Sequence, residues 1–412
     1  MKSDRFSREV LPGGLTVLTE EVPGVRSAAV GIWARWGTVH EPREQMGVSH
    51  LLEHMVFKGT QQRSALDIAL VLERLGGSLD AYTTREHTSY QARVLDEHTD
   101  TALDVLADLV LHPLLRDEDL ALEREVVLEE ISTVDDTPDD LVFELHGEAM
   151  WGDHPYGYRI LGTPETVTRL SAAELAAVHR RGYNRPNLVI AAAGNVAHDA
   201  IVERVATLFA PATNGTDPAR VTAPVMAAPR MLHHEHATAQ THLVFGTATC
   251  GHGDPRRYAM VLLSNAFGGG MSSRLFQRVR EELGLAYAVY SFQSFYREAG
   301  VSGVYVGTRH EWAEKAADVI RAELARLAAS GLTRDELDDA KGQVKGQMVL
   351  AMESTGARLH RLAGYELYDE PFLTVEDLMA RVDAVTLESV AAVAAEWFDP
   401  DKQVVLRLGP AA

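Results

Sequence analysis

Two histidines and a glutamate lie close together in the sequence Gly47-Val-Ser-His50-Leu-Leu-Glu53-His54. On a helix, residues four apart share a face, so His50 and His54 would direct both imidazoles to one point, with Glu53 on the same side. Imidazole nitrogens at this spacing are typical ligands of Zn²⁺, and a free carboxylate beside them can accept a proton. The segment predicts a metal site with an adjacent base; the alternative is a pair of structural histidines.

A catalytic zinc usually takes a third protein ligand and leaves one position for water. The acidic segment 120–131 offers Glu123 and Glu130. They are seven residues apart, so a helix would place them on one face, about 10.5 Å apart along its axis. Only one can readily reach the metal, and the other would orient a ligand histidine. The spacing leaves open which glutamate does which.

The composition limits the kind of protein that can carry this site. At 412 residues the chain is longer than the roughly 250–300 residues over which a single core grows, so it should form two or three domains. Its formal charge of −20 opposes nucleic-acid binding. Cys250 is the only cysteine, which excludes an intrachain disulfide and a cysteine-rich metal site. Any metal must therefore be bound by histidine and carboxylate.

Neither a membrane nor a nucleic acid is an expected partner. No apolar run approaches the ~18 residues of a spanning helix, and the start, Met1-Lys-Ser-Asp-Arg5, leads into no apolar signal core. We therefore expect a cytoplasmic protein.

The two halves of the chain repeat each other. Residues 183–194 match residues 398–409 at a constant offset of 215 (398 − 183). A proline-rich stretch between the halves is typical of a linker. The second half contains no His-x-x-Glu-His, and Gln347 takes the position of Glu130. The predicted organisation is a metal-binding domain, a linker and a homologous second domain without the metal site, at 1–212, 213–232 and 233–412.

The elements that would position these residues include both strands and helices. Residues 15–19, 27–33 and 241–247 are strand-like, whereas 311–330 and 336–352 have helical periodicity. The sequence thus predicts an α+β fold that occurs in duplicate.

The motif and its surroundings resemble the pitrilysin/insulinase family of inverted zincins, in the branch of the mitochondrial processing peptidase subunits and their bacterial relatives. That family has a further glutamate about 76 residues after the second histidine, which falls on Glu130. The resemblance covers nearly the whole chain. It implies that His50, His54 and Glu130 bind one Zn²⁺ per chain, that Glu53 is the base and that Glu123 is the supporting carboxylate. It also implies two homologous α/β-sandwich domains, each with a mixed, mostly antiparallel sheet.

Two further segments resemble substrate-binding parts of that family. Gly76-Gly-Ser-Leu-Asp80-Ala81-Tyr-Thr83 resembles an edge strand on which a peptide adds as a β-strand, with Asp80, Ala81 and Thr83 as the contacts. The family more often has Asn in place of Asp80. In the second half, Arg280 and Tyr287 resemble the pair that grips the substrate backbone and stabilises the oxyanion.

The resemblance implies a zinc metalloendopeptidase that hydrolyses peptides or short unfolded polypeptides inside a closed chamber. Family members form a clamshell of four such domains, and this chain has two, so we expect a homodimer in which Arg280 and Tyr287 act in trans. A heterodimer is the other arrangement. The competing functions are a non-catalytic or partner-dependent subunit of a processing-peptidase-like heterodimer, and a metal-dependent hydrolase of non-peptide substrates.

Overall fold

The computed structural model describes residues 5–216 and 220–411; residues 1–4, 412 and 217–219, the last within the predicted linker, lie outside the described residues. Its strands are β1 Arg5–Val10, β2 Thr16–Glu21, β3 Ser27–Ala34, β4 Ser78–Thr83, β5 Thr88–Leu95, β6 Leu188–Gly194, β7 Arg230–Glu235, β8 Thr241–Thr249, β9 Ala286–Phe295, β10 Gly300–Thr308 and β11 Val404–Gly409.

The helices connect and cover these strands. They are α1 Val48–Val56, α2 Ala65–Glu73, α3 Thr99–Leu111, α4 Asp117–Asp135, α5 Pro138–Trp151, α6 Pro164–Arg169, α7 Ala172–Gly182, α8 His198–Leu208, α9 Arg257–Gly268, α10 Ala313–Ser330, α11 Arg334–Ala351, α12 Thr355–Leu367, α13 Val375–Asp383 and α14 Leu387–Trp397.

None of the helices in the described ranges has both the length and the apolar composition needed to cross a membrane. The cytoplasmic location stays a prediction.

The strands form two sheets with the same order. The first runs β1-β2-β6-β3-β5-β4 and the second β7-β11-β8-β10-β9. In each sheet one pair is parallel, β2 with β6 and β7 with β11, and the other pairs are antiparallel. Without β1, the first sheet matches the second strand for strand. The predicted duplication and the mixed, mostly antiparallel sheets are therefore confirmed.

The predicted elements are found at nearly the predicted places. The three strand-like runs are β2, β3 and β8, and the two helical stretches are α10 and α11. The helix predicted from residue 311 begins at Ala313, because His310–Trp312 forms a separate 3-10 turn.

The described residues divide into two compact units, each of which includes a helical segment from the other half of the sequence. The first contains the described parts of Met1–Ser132 and Tyr158–Val221, together with Leu350–Thr374. The second contains Thr133–Gly157, the described part of Thr222–Val349, and the described part of Val375–Ala412. The predicted bounds at 212 and 233 stay a prediction, and the described part of the linker before β7 has no helix or strand.

Helices α12 and α5, here called the exchanged helices, each cover a sheet built from the other half of the sequence and explain why the central strands are buried. Both faces of β3 and β6 are buried, which is typical of strands covered by two layers. In the first unit, α3 packs on one face of the sheet and α12 on the other. In the second unit, α5 packs against β8 and β11. Each sheet thus has one covering helix that arrives from the distant half of the chain.

Candidate metal centre

Helix α1 carries the His-x-x-Glu-His motif through the core of the first unit. It is nine residues long and starts after Gly47, whose φ of 91° is left-handed. All of its residues except His54 are buried, and five apolar ones have no exposed surface: Val48, Leu51, Leu52, Met55 and Val56. Close packing on these sides restrains the helix, so its polar groups have a defined position.

Helix α4 provides the two glutamates. Its buried residues recur every three or four positions, at Leu120, Glu123, Val127 and Ile131, so one face of the helix packs inward. The side chain of Glu123 is only 7% exposed, whereas that of Glu130, two turns later, is 41% exposed. The predicted placement on one face is found, and the two glutamates reach different atoms of the histidines.

Three donor atoms converge between α1 and α4. Oε2 of Glu130 lies 3.6 Å from Nε2 of His50 and 3.6 Å from Nε2 of His54. The ligand atoms of this group all lie within 4.8 Å of one another. Bonds of about 2.1 Å to a tetrahedral zinc would separate two ligand atoms by about 3.4 Å. The donor set and its spacing therefore fit Zn²⁺.

A second carboxylate determines the tautomer of His54. Oε2 of Glu123 is 3.1 Å from Nδ1 of His54, and Oε1 of Glu123 is 2.5 Å from Nζ of Lys58. Because a carboxylate oxygen accepts, Nδ1 carries the hydrogen and donates a hydrogen bond to Glu123, which leaves the lone pair of Nε2 facing Glu130. This is the contact expected of a carboxylate that supports a ligand histidine.

The environment also keeps His50 neutral. Burial, together with a smaller effect of the neighbouring His54, lowers the pKa of His50 to about 3. A neutral imidazole has a free nitrogen lone pair, as metal binding requires.

Glu53 lies beside this group and is bound by a strand. Thr83 Oγ1, at the end of β4, donates a 2.6 Å hydrogen bond to Oε2 of Glu53. Burial raises the pKa of Glu53, and the hydrogen bond from Thr83 opposes this rise. One oxygen of Glu53 is thus engaged by Thr83, and the carboxylate is available as a base.

Strand β4 is an edge strand of the first sheet. It pairs with β5, and no strand pairs with its other side among the described residues. Side chains alternate along a strand, so Ala81 and Thr83 share one face and Asp80 lies on the other, where it is exposed. Thr83 therefore contacts Glu53, whereas Asp80 is directed away from it.

Arg280 and Tyr287 meet in the second unit. Arg280 belongs to the π-helical segment Phe276–Glu282, and Tyr287 to the start of β9. Nη1 of Arg280 donates a 3.1 Å hydrogen bond to the carbonyl oxygen of Tyr287, and its guanidinium lies 4.2 Å from the centre of the Tyr287 ring. The Tyr287 side chain is open to solvent at 77% exposure. The predicted pair is therefore in contact and has an accessible phenol.

Comparison with known proteins identifies the family. A model described as insulinase (peptidase family M16) matches residues 16–164, and one described as the peptidase M16 inactive domain matches residues 169–344. An uncharacterized zinc protease of Streptomyces coelicolor is 43% identical over 394 residues, covering 94% of this chain and 86% of that protein. The chain belongs to the insulinase family.

A further relative supports the family assignment, and two solved structures have the same fold. The uncharacterized zinc protease YmxG of Bacillus subtilis is 38% identical, covering 97% of this chain and 98% of that protein. A solved structure of a peptidase M16 inactive domain from Pseudomonas fluorescens has a TM-score of 0.93 at 24% identity, covering 99% of this chain and 98% of that one. A protease from Helicobacter pylori has a TM-score of 0.90 at 20% identity, with 99% and 100% covered. These two structures confirm the fold.

The predicted insulinase-family motif residues come together in the first unit, but their roles stay predictions. Sequence reasoning missed two contacts. Lys58 follows His54 by four residues, so the two side chains would lie near each other on a helix. This spacing could have placed Lys58 beside Glu123, the carboxylate that contacts His54. Thr83 was expected only as a substrate contact, and no sequence spacing relates it to Glu53, thirty residues away.

Proposed function

We propose that this chain is a zinc-dependent endopeptidase that hydrolyses extended peptides or short unfolded polypeptides. The observation that carries the proposal is the convergence of His50, His54 and Glu130 beside a buried glutamate, Glu53. The three convergent residues would hold Zn²⁺, which when bound supplies a positive charge that acidifies water and stabilises negative charge on a carbonyl oxygen. The intact donor set disfavours a non-catalytic subunit.

Glu53 would act as the proton carrier. Thr83 engages Oε2, so Oε1 is the oxygen that can accept a proton from the attacking water. The same oxygen then returns the proton to the leaving amine. Throughout the reaction Glu123 accepts the hydrogen bond from Nδ1 of His54, which keeps that imidazole in one tautomer.

The edge strand favours peptides over other substrates. The outer side of β4 is not paired with another strand in the described residues, so an extended peptide can add to it by main-chain hydrogen bonds. Because Thr83 ends this strand and contacts Glu53, a peptide added along β4 passes the base. Ala81 and Thr83 are the proposed backbone contacts, and Asp80 would meet a side chain on the opposite face.

The proposal extends to assembly. The second half carries Gln347 thirteen residues after the start of α11, where Glu130 stands thirteen after the start of α4 (347 − 334 = 130 − 117 = 13), so it lacks a ligand of the first site. Family resemblance to four-domain clamshells supports a homodimer that closes a chamber, a common form of symmetric assembly. In it, Arg280 and the exposed phenol of Tyr287 would bind substrate and stabilise the oxyanion in the partner's site.

The test separates the base from the ligands. Glu53→Gln should retain one zinc per chain, measured by elemental analysis, and lose peptide turnover by about 10³-fold, because the amide cannot accept the proton. His54→Ala should lose zinc as well as activity. Glu125→Gln, which changes an exposed glutamate of α4, is the matched control and should behave as wild type. Cleavage of a random peptide library at the wild-type rate by Glu53→Gln would refute the assignment.

A further inference from the structure

The first turn of α1 has no cap of its own. The backbone N–H groups at a helix start need acceptors, which Ser, Thr or Asp at the capping position usually provide. Here that position is Gly47, which has no side chain and a φ of 91°. A Cβ there would lie 2.6 Å from the carbonyl oxygen of Leu161, so no capping side chain can replace this glycine.

Glu41 takes the place of the missing cap from six residues upstream. Its Oε2 accepts a 2.9 Å hydrogen bond from the N–H of Gly47, and its Oε1 a 2.7 Å bond from the N–H of Ser49. Glu41 is 4% exposed and has no ion-pair partner among the described residues. The positive end of the helix and the two N–H groups stabilise its charge.

The position of Glu41 is costly for a carboxylate. Burial raises its pKa to about 7, even though the hydrogen bonds from Ser49 and Gly47 act to lower it. Despite this cost, both carboxylate oxygens of Glu41 accept hydrogen bonds from the start of α1.

The two ligand histidines are oriented in different ways. His54 is held through its side chain, because its Nδ1 contacts Glu123. Nδ1 of His50 is buried and has no hydrogen-bond partner within residues 5–216 and 220–411. The direction of the His50 ring therefore depends on packing and on the backbone of the first turn. Ser49, whose N–H is bound by Glu41, directly precedes it.

We propose that Glu41 is a positioning residue of the metal site, which does for His50 through the backbone what Glu123 does for His54 through the side chain. This inference rests on the proposed function, in which His50, His54 and Glu130 bind zinc. By fixing the first turn of α1, Glu41 holds Nε2 of His50 where it meets Glu130. The site is thereby organised before metal arrives.

The experiment compares Glu41→Gln with Glu44→Gln in the full chain. Glutamine has the same shape, but its NH₂ cannot accept, so one of the two hydrogen bonds and the charge are lost. The zinc dissociation constant, measured by chelator competition, should rise about 10- to 100-fold in Glu41→Gln. The absorption spectrum of the Co²⁺-loaded protein should also change. Glu44, exposed in the same loop, is the matched control and should leave both unchanged. Glu123→Gln should lose as much zinc affinity as Glu41→Gln.

A purely structural role predicts a different result. Glu41→Gln would then have a lower Tm but a wild-type zinc dissociation constant per folded molecule and a wild-type Co²⁺ spectrum, and this outcome would overturn the proposal. If Glu41→Gln does not fold, Glu41→Asp keeps the charge but is too short to reach both N–H groups. Its zinc affinity should fall by a smaller factor, and an unchanged affinity would also overturn the proposal. Failure of the wild type to bind zinc would instead refute the proposed function itself.

Discussion

Three polar side chains at the candidate metal centre each have a neighbour that fixes their hydrogen bonding. Glu123 accepts a hydrogen bond from Nδ1 of His54 and forms an ion pair with Lys58. Thr83 donates a hydrogen bond to one oxygen of Glu53. These contacts come from an edge strand and from residues outside the motif. The chemistry of the motif therefore depends on side chains that the motif does not contain.

Thr83→Val tests the contact to Glu53. The hydrogen bond from Thr83 lowers the pKa of Glu53. Valine keeps the shape of the side chain but cannot form this hydrogen bond. The pKa of Glu53 should therefore rise, and since the base must be ionised, the acidic limb of the kcat/KM profile should move to higher pH. We expect turnover at neutral pH to fall about tenfold, or about 1.4 kcal/mol of transition-state stabilisation.

Thr83→Ser keeps the hydroxyl and is the control for this change. It should retain the wild-type pH profile, and zinc content should be unaffected in both variants. If Thr83→Val has the wild-type acidic limb, Thr83 does not influence the base.

Among the elements, α12 carries the most informative polar contact. This helix lies in the second half of the sequence but covers the first sheet. Glu20 in β2 is completely buried, and its carboxylate is bound by Arg358 and by Arg361 of α12, the latter at 3.1 Å. The ion pairs join the exchanged helix α12 to β2, a strand that is distant in sequence.

Glu20→Gln should destabilise the protein by about 3 kcal/mol, because it leaves buried guanidinium groups without their carboxylate. Urea unfolding at equilibrium measures this loss. Glu21→Gln is the matched control, since the adjacent Glu21 pairs with Arg5 at the surface and its change should cost less than about 1 kcal/mol. Equal effects of the two changes would show that the buried pairs do not stabilise the position of α12.

At the scale of the whole molecule, assembly determines whether the proposed site is complete. The proposed zinc ligands His50, His54 and Glu130 lie in the first unit, whereas Arg280 and Tyr287 lie in the second. A homodimer would let each chain provide Tyr287 to the other. The repeat thus connects the length of the chain to a prediction about its oligomeric state.

Mixing two inactive chains tests this arrangement. If Tyr287 acts in trans, a dimer of one Glu53→Gln chain and one Tyr287→Phe chain has one site with both groups intact. Random mixing should then restore about a quarter of wild-type activity, since half of the dimers are mixed and each has one intact site of two. Peptide turnover of the refolded mixture measures this. If the mixture is no more active than the average of the two variants, Tyr287 does not act in trans.

Local spacing was sufficient to predict several features. The i, i+4 histidines and the seven-residue spacing of Glu123 and Glu130 predicted which side chains share a helix face, because helical periodicity depends only on the backbone. The offset between the halves predicted two copies of one fold, and the structure and the family confirm it.

Only the tertiary structure decided which distant groups meet. No local pattern shows that α12 covers the first sheet, that Thr83 engages Glu53, or that Glu41 binds the start of α1. Such contacts depend on chain crossings and on close packing around residues such as Gly47, where a side chain has no room. Helical and strand periods determine the face on which a residue lies, whereas the fold as a whole determines what faces it.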